Sequence, residues 1–413
     1  MLGVSLVSLL ASAPGQTWFL SQFTGTFIEE FGLSPSAFNA GFSAVTLLAS
    51  LPMIVLGSMM DRAGLRISTM LSAIGVAVAG AVTAFATGAV FMLAGVLLLR
   101  LTGQGTLGMV SGHVLAKWYR ERLGSMEGIR HAVNGAFIAA ASPLVVLLID
   151  AVGWRTAMLV CAGVCGGVVV VLTLTVFRES PESIGQEVDG GPVVSRVGKA
   201  RRRGVEHSLT LFEALRTRAY WAVMLTPFIA VTASSAIVLN IQPMMAESGV
   251  ERAQAAFLIT VFAGVNVPLQ FIVGWLVDRT PSWFPLVLGN AGLIAGCLLM
   301  TGRSEYAVAV AGMAGMAVCH GALWSSNSAL LVRFFGLDHQ GALRGSLTTL
   351  IVLATSAGPL LVSGLYSLTG GYNAALLAFA GFGSIVLVLG ALLRDPVLPS
   401  DTPHEDAGGP ASE

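Results

Sequence analysis

The sequence predicts an all-α integral membrane protein with twelve transmembrane helices in two six-helix, pseudo-symmetric halves. Three observations predict it. Apolar runs of roughly 20 residues recur along the chain, each long enough to cross ~30 Å of hydrocarbon as a helix. Only 11% of the 413 residues are charged and 55% are hydrophobic, whereas a soluble domain carries about 25% charged residues. One shift of 216–217 residues maps many features of the first half onto the second. So little charge cannot coat the surfaces of several soluble domains. A soluble enzyme, a nucleic-acid binder and a secreted disulfide scaffold are therefore excluded as readings.

The expected spans are 2–22, 36–59, 67–88, 91–114, 124–149, 154–177, 219–243, 254–277, 283–301, 305–329, 343–367 and 371–393. Span 1 is apolar from Met1 to Leu10, without a basic lead or a small-residue cleavage site before Pro14-Gly15, so it reads as a retained span and not a signal peptide. The lack of a polar stretch ahead of it is consistent with a start assigned late. Four units follow: a six-helix half over 1–177, a cytoplasmic loop over 178–218, a second half over 219–394, and a disordered polar tail over 395–413.

The basic residues orient the chain. With the N-terminus inside, Arg100 and Arg130 fall within spans, and Arg155, Arg252 and Arg303 fall outside. The other 17 face the cytoplasm, Arg344 among them. Both termini are then cytoplasmic. Only Lys117 and Lys199 are lysine, a coding bias that points to a GC-rich bacterium and hence to its inner membrane. The run Arg201-Arg202-Arg203 serves as a topology signal or holds anionic lipid. Residues 208–218 read as a short amphipathic helix on the membrane face. Net charge is zero and says nothing of partners.

The internal repeat is specific. Gly57-x-x-x-Asp61-Arg62 matches Gly274-x-x-x-Asp278-Arg279, and Lys117-Trp118-Tyr119 matches Arg333-Phe334-Phe335. Gly124-x-x-x-Gly128 matches Gly341-x-x-x-Gly345, Ser142-Pro143 matches Gly358-Pro359, and Gly153-Trp154 matches Gly371-Tyr372 one residue further on. Matches spread over half the chain point to a duplication. Two parallel halves around a midplane site form a transporter architecture.

The loop after span 2 reads Gly57-Ser-Met-Met-Asp61-Arg62-Ala-Gly64-Leu-Arg66. It resembles the signature loop of the major facilitator superfamily. Glycine lets two helices approach closely, and an Asp at a helix end can latch onto a neighbouring helix in one state and release in another. Gly57, Asp61, Arg62, Gly64 and Arg66, with Gly274, Asp278 and Arg279 in the repeat, are the expected gating residues. Within the superfamily the chain resembles the bacterial relatives of the monocarboxylate porters. The similar stretches are Pro14-Gly15-Gln16-Thr17-Trp18, Phe31-Gly32-Leu33-Ser34, Trp118-Tyr119-x-x-Arg122-x-Gly124-x-x-x-Gly128-Ile129 and Leu215-Arg-Thr-Arg-Ala-Tyr220-Trp221. Characterised members use a Lys in span 1 and an Asp/Arg pair in span 8. The aligned positions here are Gly15, Asn266 and Gln270. Lactate-type proton symport is therefore not implied.

Polar residues inside spans are costly and mark function. Arg100 in Arg100-x-x-Gly103-Gln104-Gly105 is the first candidate, and its surroundings resemble span 4 of the superfamily. Span 5 carries a small-residue packing stripe (Gly124, Gly128, Ala132, Gly135, Ala139, Ser142) and a polar stripe (Glu127, Arg130, His131, Asn134). The polar stripe reads equally as an internal ion pair and as an anion site or gate. His320 matches Gln104 under the repeat, and Trp324 and Asn327 follow on its face. Asn266 and Gln270 would line the opposite wall, and Gln16 and Trp18 in span 1 are further candidates. The expected substrate contacts are thus Arg100, Gln104, Arg130, Asn134, Asn266, Gln270, His320, Trp324, Asn327 and Gln16. His320, His131 or Glu127 would carry a proton.

Cys161 and Cys165 share a helix face, but two sulfurs without His or acid make a poor metal site. No catalytic or nucleotide motif occurs, so neither enzyme activity nor a cofactor or metal is expected. The reading is a monomeric secondary transporter of a small organic anion or polar metabolite, embedded in the lipid bilayer, with no nucleic-acid partner. A drug or metabolite efflux antiporter is the first alternative, although Asn134-Gly135 to Ser142-Pro143-Leu144 lacks the paired glycines such antiporters carry. A transport-dead membrane sensor is the second.

Overall fold

The computed structural model describes residues 1–190, 208–301 and 305–393. The Arg201–Arg203 run, Arg196, Lys199, Arg303 and the tail over 395–413 lie outside the described residues.

The described chain is helical, and its apolar segments follow the expected spans. Among the described residues, nine helices are long and apolar enough to cross a membrane: Leu65–Ala84, Ala89–Trp118, Leu123–Val152, Trp154–Thr175, Arg218–Glu247, Phe257–Val277, Tyr306–Phe335, Gln340–Thr369 and Asn373–Ala391. They are spans 3 to 8 and 10 to 12. Span 2 is a pair, Ala37–Ser50 and Met53–Ala63, bent by 40°. The bend follows from Pro52, which cannot donate into the helix. Spans 1 and 9 are the shorter apolar segments Leu2–Gly15 and Trp283–Leu299.

Two spans are irregular where polar groups sit. Span 1 stops as an α-helix at Ala11 and passes through a 3-10 turn at Ala13–Gly15, where Pro14 stands. Span 4 is π-helical from Arg100 to Leu107. The two irregular stretches meet: a Cβ on Gly15 would collide with the Leu99 carbonyl oxygen, and one on Gly103 would lie 3.0 Å from the Gly15 Cα. Gly103-Gln-Gly105 is thus a packing element, as its position in a span suggests.

Large apolar side chains point outward around the bundle, among them Val55, Leu71, Phe91, Leu144, Val164, Phe271, Leu360 and Phe382. In water such a belt would be a large aggregating patch. Against acyl chains it costs nothing. Each half has its own core. Phe19, Phe23, Phe27, Met92 and Trp154 gather in the first, and Ile237, Met245, Leu293, Met316 and Phe379 in the second. A mixed cluster of Leu115 and Leu123 with Val273, Val277 and Val332 joins the halves at one end. This end also carries the segments on either side of the central loop, and is called the loop face below.

The expected helix over 208–218 is a single turn, Leu211–Ala214, held by a capping box between Thr210 and Glu213. The segment before it is tied down instead of amphipathic. Leu209 N–H donates to the Phe335 carbonyl, and Ser208 Oγ accepts from Leu337 and Asp338 N–H. The Thr210 hydrogen bonds hold the Glu213 carboxyl below its ordinary range.

Candidate functional site

At the loop face the two matched aspartates perform the same task in opposite directions. Asp61, at the end of span 2, accepts from the Gly341 and Ala342 N–H groups at 2.8 and 3.2 Å. These are the unpaired amides that open span 11. Asp278, at the end of span 8, accepts from Gly124 N–H at 2.7 Å, Ser125 N–H at 2.8 Å and Ser125 Oγ at 2.5 Å, at the start of span 5. A carboxylate on a helix N-terminus is stabilised by the amides and the dipole, by about 0.3–1 kcal/mol and up to ~2 where partly buried. Each latch crosses between the halves. Burial raises the Asp278 carboxyl, and the Ser125 and Gly124 hydrogen bonds oppose that rise.

Glycines permit the approach. A Cβ on Gly57 would collide with the Gly341 carbonyl oxygen, and one on Gly341 with that of Gly57. In the second contact a Cβ on Gly274 would stand 2.5 Å from the Gly124 carbonyl oxygen. Gly64 holds φ +87° and ends span 2. It leads into span 3, whose first amides, Leu65 and Arg66 N–H, donate to Glu179. Arg62 is exposed. Arg66 reaches weakly toward the Leu174 carbonyl, and Arg279 folds over Trp275 at 4.2 Å.

Three polar sets lie deeper. In the first, Arg100 is 2% exposed. Its guanidinium donates to Thr17 Oγ1 at 3.0 and 3.1 Å and to Gln104 Oε1, and it stacks on Phe42 at 4.7 Å. Every one of these partners is neutral. Gln16 does not join; its amide donates to Ser12 Oγ.

In the second set, Glu127 is fully buried. Arg130 donates to it through Nε at 2.6 Å, to Ser111 Oγ at 2.8 Å, and lies 2.9 Å from His131 Nε2. Asn134 is half-buried one turn further on. The small-residue stripe of span 5 packs on span 8 only in its first part: a Cβ on Gly128 would collide with the Gln270 carbonyl oxygen and one on Gly135 would stand 3.2 Å from Val267, whereas Ala139 is exposed.

In the third set, His320 Nε2 lies 2.8 Å from Ser234 Oγ of span 7, and the Trp324 indole N–H donates to His320 Nδ1 at 3.3 Å. Phe262 of span 8 packs edge-on against the imidazole at 5.2 Å. Trp324 also lies 5.4 Å from the His131 ring, so the second and third sets touch across the halves. Asn266 and Gln270 are buried and bond to each other at 2.5 Å. They form a local pair instead of the open wall that their spacing suggests. Asn327 is buried, and its Oδ1 has no partner among the described residues.

The sequence reading missed several members. Arg344, assigned to the cytoplasm, is 7% exposed within the bundle and donates to Ser328 Oγ at 3.0 Å. Its Nε and Nη2 have no partner among the described residues. It sits inside the repeated Gly-x-x-x-Gly segment, so topology counting took it for a loop residue. The repeat itself held the signal, since Arg344 matches Glu127. His113, buried 3.9 Å from Asp61, was also missed, as were Thr17, Phe42 and Ser234. Hydroxyls and rings at helical spacing give no signal of their own.

The profile of the Major Facilitator Superfamily matches residues 5–298 and 223–412. Human monocarboxylate transporter 12 is 22% identical over 277 residues, covering 63% of this chain and 52% of the relative. Zebrafish (Danio rerio) monocarboxylate transporter 12-B is 23% identical over 248 residues, covering 54% and 50%. The match thus spans about half the length of these curated relatives. Among solved structures, the human organic anion transporter MFSD10 (TETRAN) superposes with a TM-score of 0.69 at 16% identity, covering 94% of this chain and 98% of that one. The proton:xylose symporter XylE gives 0.68 at 14% identity, covering 93% of each chain. Profile, relatives and fold agree: this multi-pass membrane protein belongs to the Major Facilitator Superfamily of transporters.

Proposed function

We propose that the protein moves a small organic anion across a bacterial inner membrane by alternating access, driven by an ion gradient. The carrying observation is Arg100. It is a buried guanidinium within a span, and none of the ion pairs among the described residues includes it. Arg344 has no acidic partner within ion-pair distance among the described residues either. Among the described residues, three buried arginines (Arg100, Arg130, Arg344) therefore share the spans with one buried carboxylate, Glu127. An isolated buried charge is costly, and a substrate carboxylate would supply the missing counter-charge at the moment of transport. Thr17, Gln104 and Phe42 hold the Arg100 fork in place.

The two halves, 1–177 and 219–394, would rock about this region, with the Asp61 and Asp278 contacts holding the loop face shut in one state. The loop face is the cytoplasmic side in this reading, with both termini on it, and one chain is the working unit. His320, His131 or Glu127 would carry a coupled proton. The names of the relatives and of the organic anion transporter agree with an anionic cargo. The aligned Gly15, Asn266 and Gln270 argue against simple lactate symport.

The test is uptake into proteoliposomes of labelled lactate, pyruvate, oxalate, a dicarboxylate and a neutral metabolite, with and without an inward proton gradient. Arg100→Ala runs beside the parent. Anion uptake by the parent and its loss in the folded variant support the reading. Uptake of the neutral compound alone overturns it.

A further inference from the structure

Trp324 makes two contacts that compete with one chemical event. An indole N–H can only donate. His320 Nδ1, which receives it at 3.3 Å, must therefore present a lone pair. The ring hydrogen then sits on Nε2 and donates to Ser234 Oγ at 2.8 Å. Ser234 in turn donates to the Val231 carbonyl at 3.3 Å. The chain of donors and acceptors is complete with His320 neutral, and Nδ1 is the only atom at which it can take a proton. That atom is covered by Trp324.

The same indole rests on the His131 ring of span 5 at 5.4 Å. Trp324 belongs to span 10 and His131 to the other half. We infer that Trp324 is the positioning residue that couples proton uptake by His320 to separation of the halves: a proton on Nδ1 and a seated Trp324 exclude each other. When the proton binds, two N–H donors face each other, the indole leaves, and its contact with His131 is lost. Linkage makes this reciprocal, so closing the halves expels the proton.

Charged neighbours do not substitute for this switch. Span 7 carries no Asp, Glu, Lys, Arg or His from Ala219 to Ala246, span 8 none from Gln254 to Val277, and span 9 none from Trp283 to Leu299. From span 5 come Glu127, Arg130 and His131. Arg130 and Glu127 bond each other, and both lie near His131 Nε2. From span 11 comes Arg344, bonded to Ser328, and from span 4 come His113 and Lys117, which lie 3.9 Å from Asp61 and 3.7 Å from Glu179.

The inference rests on the transport reading above, yet its test needs no substrate. Nitroxide labels go on Cys introduced at the exposed residues Glu121 and Asp338, one in each half at the loop face, with Cys161 and Cys165 replaced by Ala. The label separation is read in nanodiscs at pH 8 and pH 5 by pulsed electron resonance. In the parent the ratio of open to closed molecules should rise by about fivefold or more at pH 5. His320→Gln, whose amide can replace both hydrogen bonds but takes no proton, should stay closed at both. Trp324→Phe keeps a ring but frees Nδ1, and should lose the pH response. An unresponsive parent, or a response kept in His320→Gln or in Trp324→Phe, overturns the inference. A parent that responds but takes up no anion overturns the cargo assignment and leaves this coupling standing.

Discussion

Arg344 occupies in span 11 the position that Glu127 occupies in span 5, and both side chains are buried beside Gly112. A Cβ on Gly112 would collide with the Arg344 Nη1 and stand 3.6 Å from the Glu127 Oε1. The duplication has thus placed opposite charges at equivalent sites of the two halves. They face each other across the interface that the aspartate latches close. Glu127 spends one oxygen on Arg130 and leaves Oε1 without a partner among the described residues.

Neutralising Glu127 leaves two buried guanidiniums without their one carboxylate. Removing a single partner from a buried ion pair costs about 3–5 kcal/mol. Glu127→Gln should therefore lower the melting temperature in detergent by several degrees. Exchanging the charges, Glu127→Arg with Arg344→Glu, should melt closer to the parent than either substitution alone. Equal melting of parent and Glu127→Gln would show that the charge is compensated elsewhere.

This pair also marks how far the sequence could be read. The apolar segments were legible because apolar length is a one-dimensional property. The latch was legible because Asp61 and Asp278 repeat with their glycines at one spacing. The contacts of Arg100 were not, because Thr17 and Phe42 come from spans whose breaks decide which way they face. Arg344 escaped because basic residues near span ends are counted as loop residues, and only depth tells the two apart. Asn266 and Gln270 were placed on an open wall by their spacing, yet a four-residue spacing also lets two amides bond each other. Periodicity cannot choose between those outcomes.

The latches predict a graded response. Asp61→Asn and Asp278→Asn keep the shape but replace a carboxylate that takes two or three hydrogen bonds from the facing helix. Loss of an N-cap costs about 1 kcal/mol, a roughly fivefold change in a two-state ratio. Each variant should raise loop-face accessibility, read as the modification rate of a Cys introduced at Ala116, which is buried in the cluster that joins the halves, by about that factor. The double variant should show the product of the two effects. Rates equal to the parent would mean that the latches do not bias the closed state.

Gly57→Ala tests the close approach and not the charge. The added methyl meets the Gly341 backbone, which cannot swing aside as a long side chain could. Each half keeps its own core, so melting should fall little. Closure of the loop face should fail and uptake should drop by at least tenfold, about 1.4 kcal/mol on the closed state. Gly124→Ala, which meets Gly274 in the symmetry-related contact, should behave alike. Normal uptake in both would show that the interface closes with slack.

The opposite end of the first half supplies a pH test with a definite sign. Glu30 Oε1 accepts from Arg155 Nη2 at 3.0 Å, and Arg155 also donates to the carbonyls of Ala84 and Ala86 at 2.6 and 3.0 Å. The Arg155 hydrogen bond holds the Glu30 carboxyl below its ordinary range, against a smaller opposing effect of burial. A carboxyl that is more acidic in the folded state stabilises the fold once ionised. Its contribution is complete above the ordinary carboxylate range and disappears as pH falls through the lowered value. Both side chains are about 40% exposed, so solvent and salt screen the pair. Glu30→Gln should therefore melt slightly below the parent at pH 7, with a gap that narrows in high salt and closes as pH falls through the lowered Glu30 range. A gap that persists unchanged in acid would assign the effect to the hydrogen bond's shape and not to its charge.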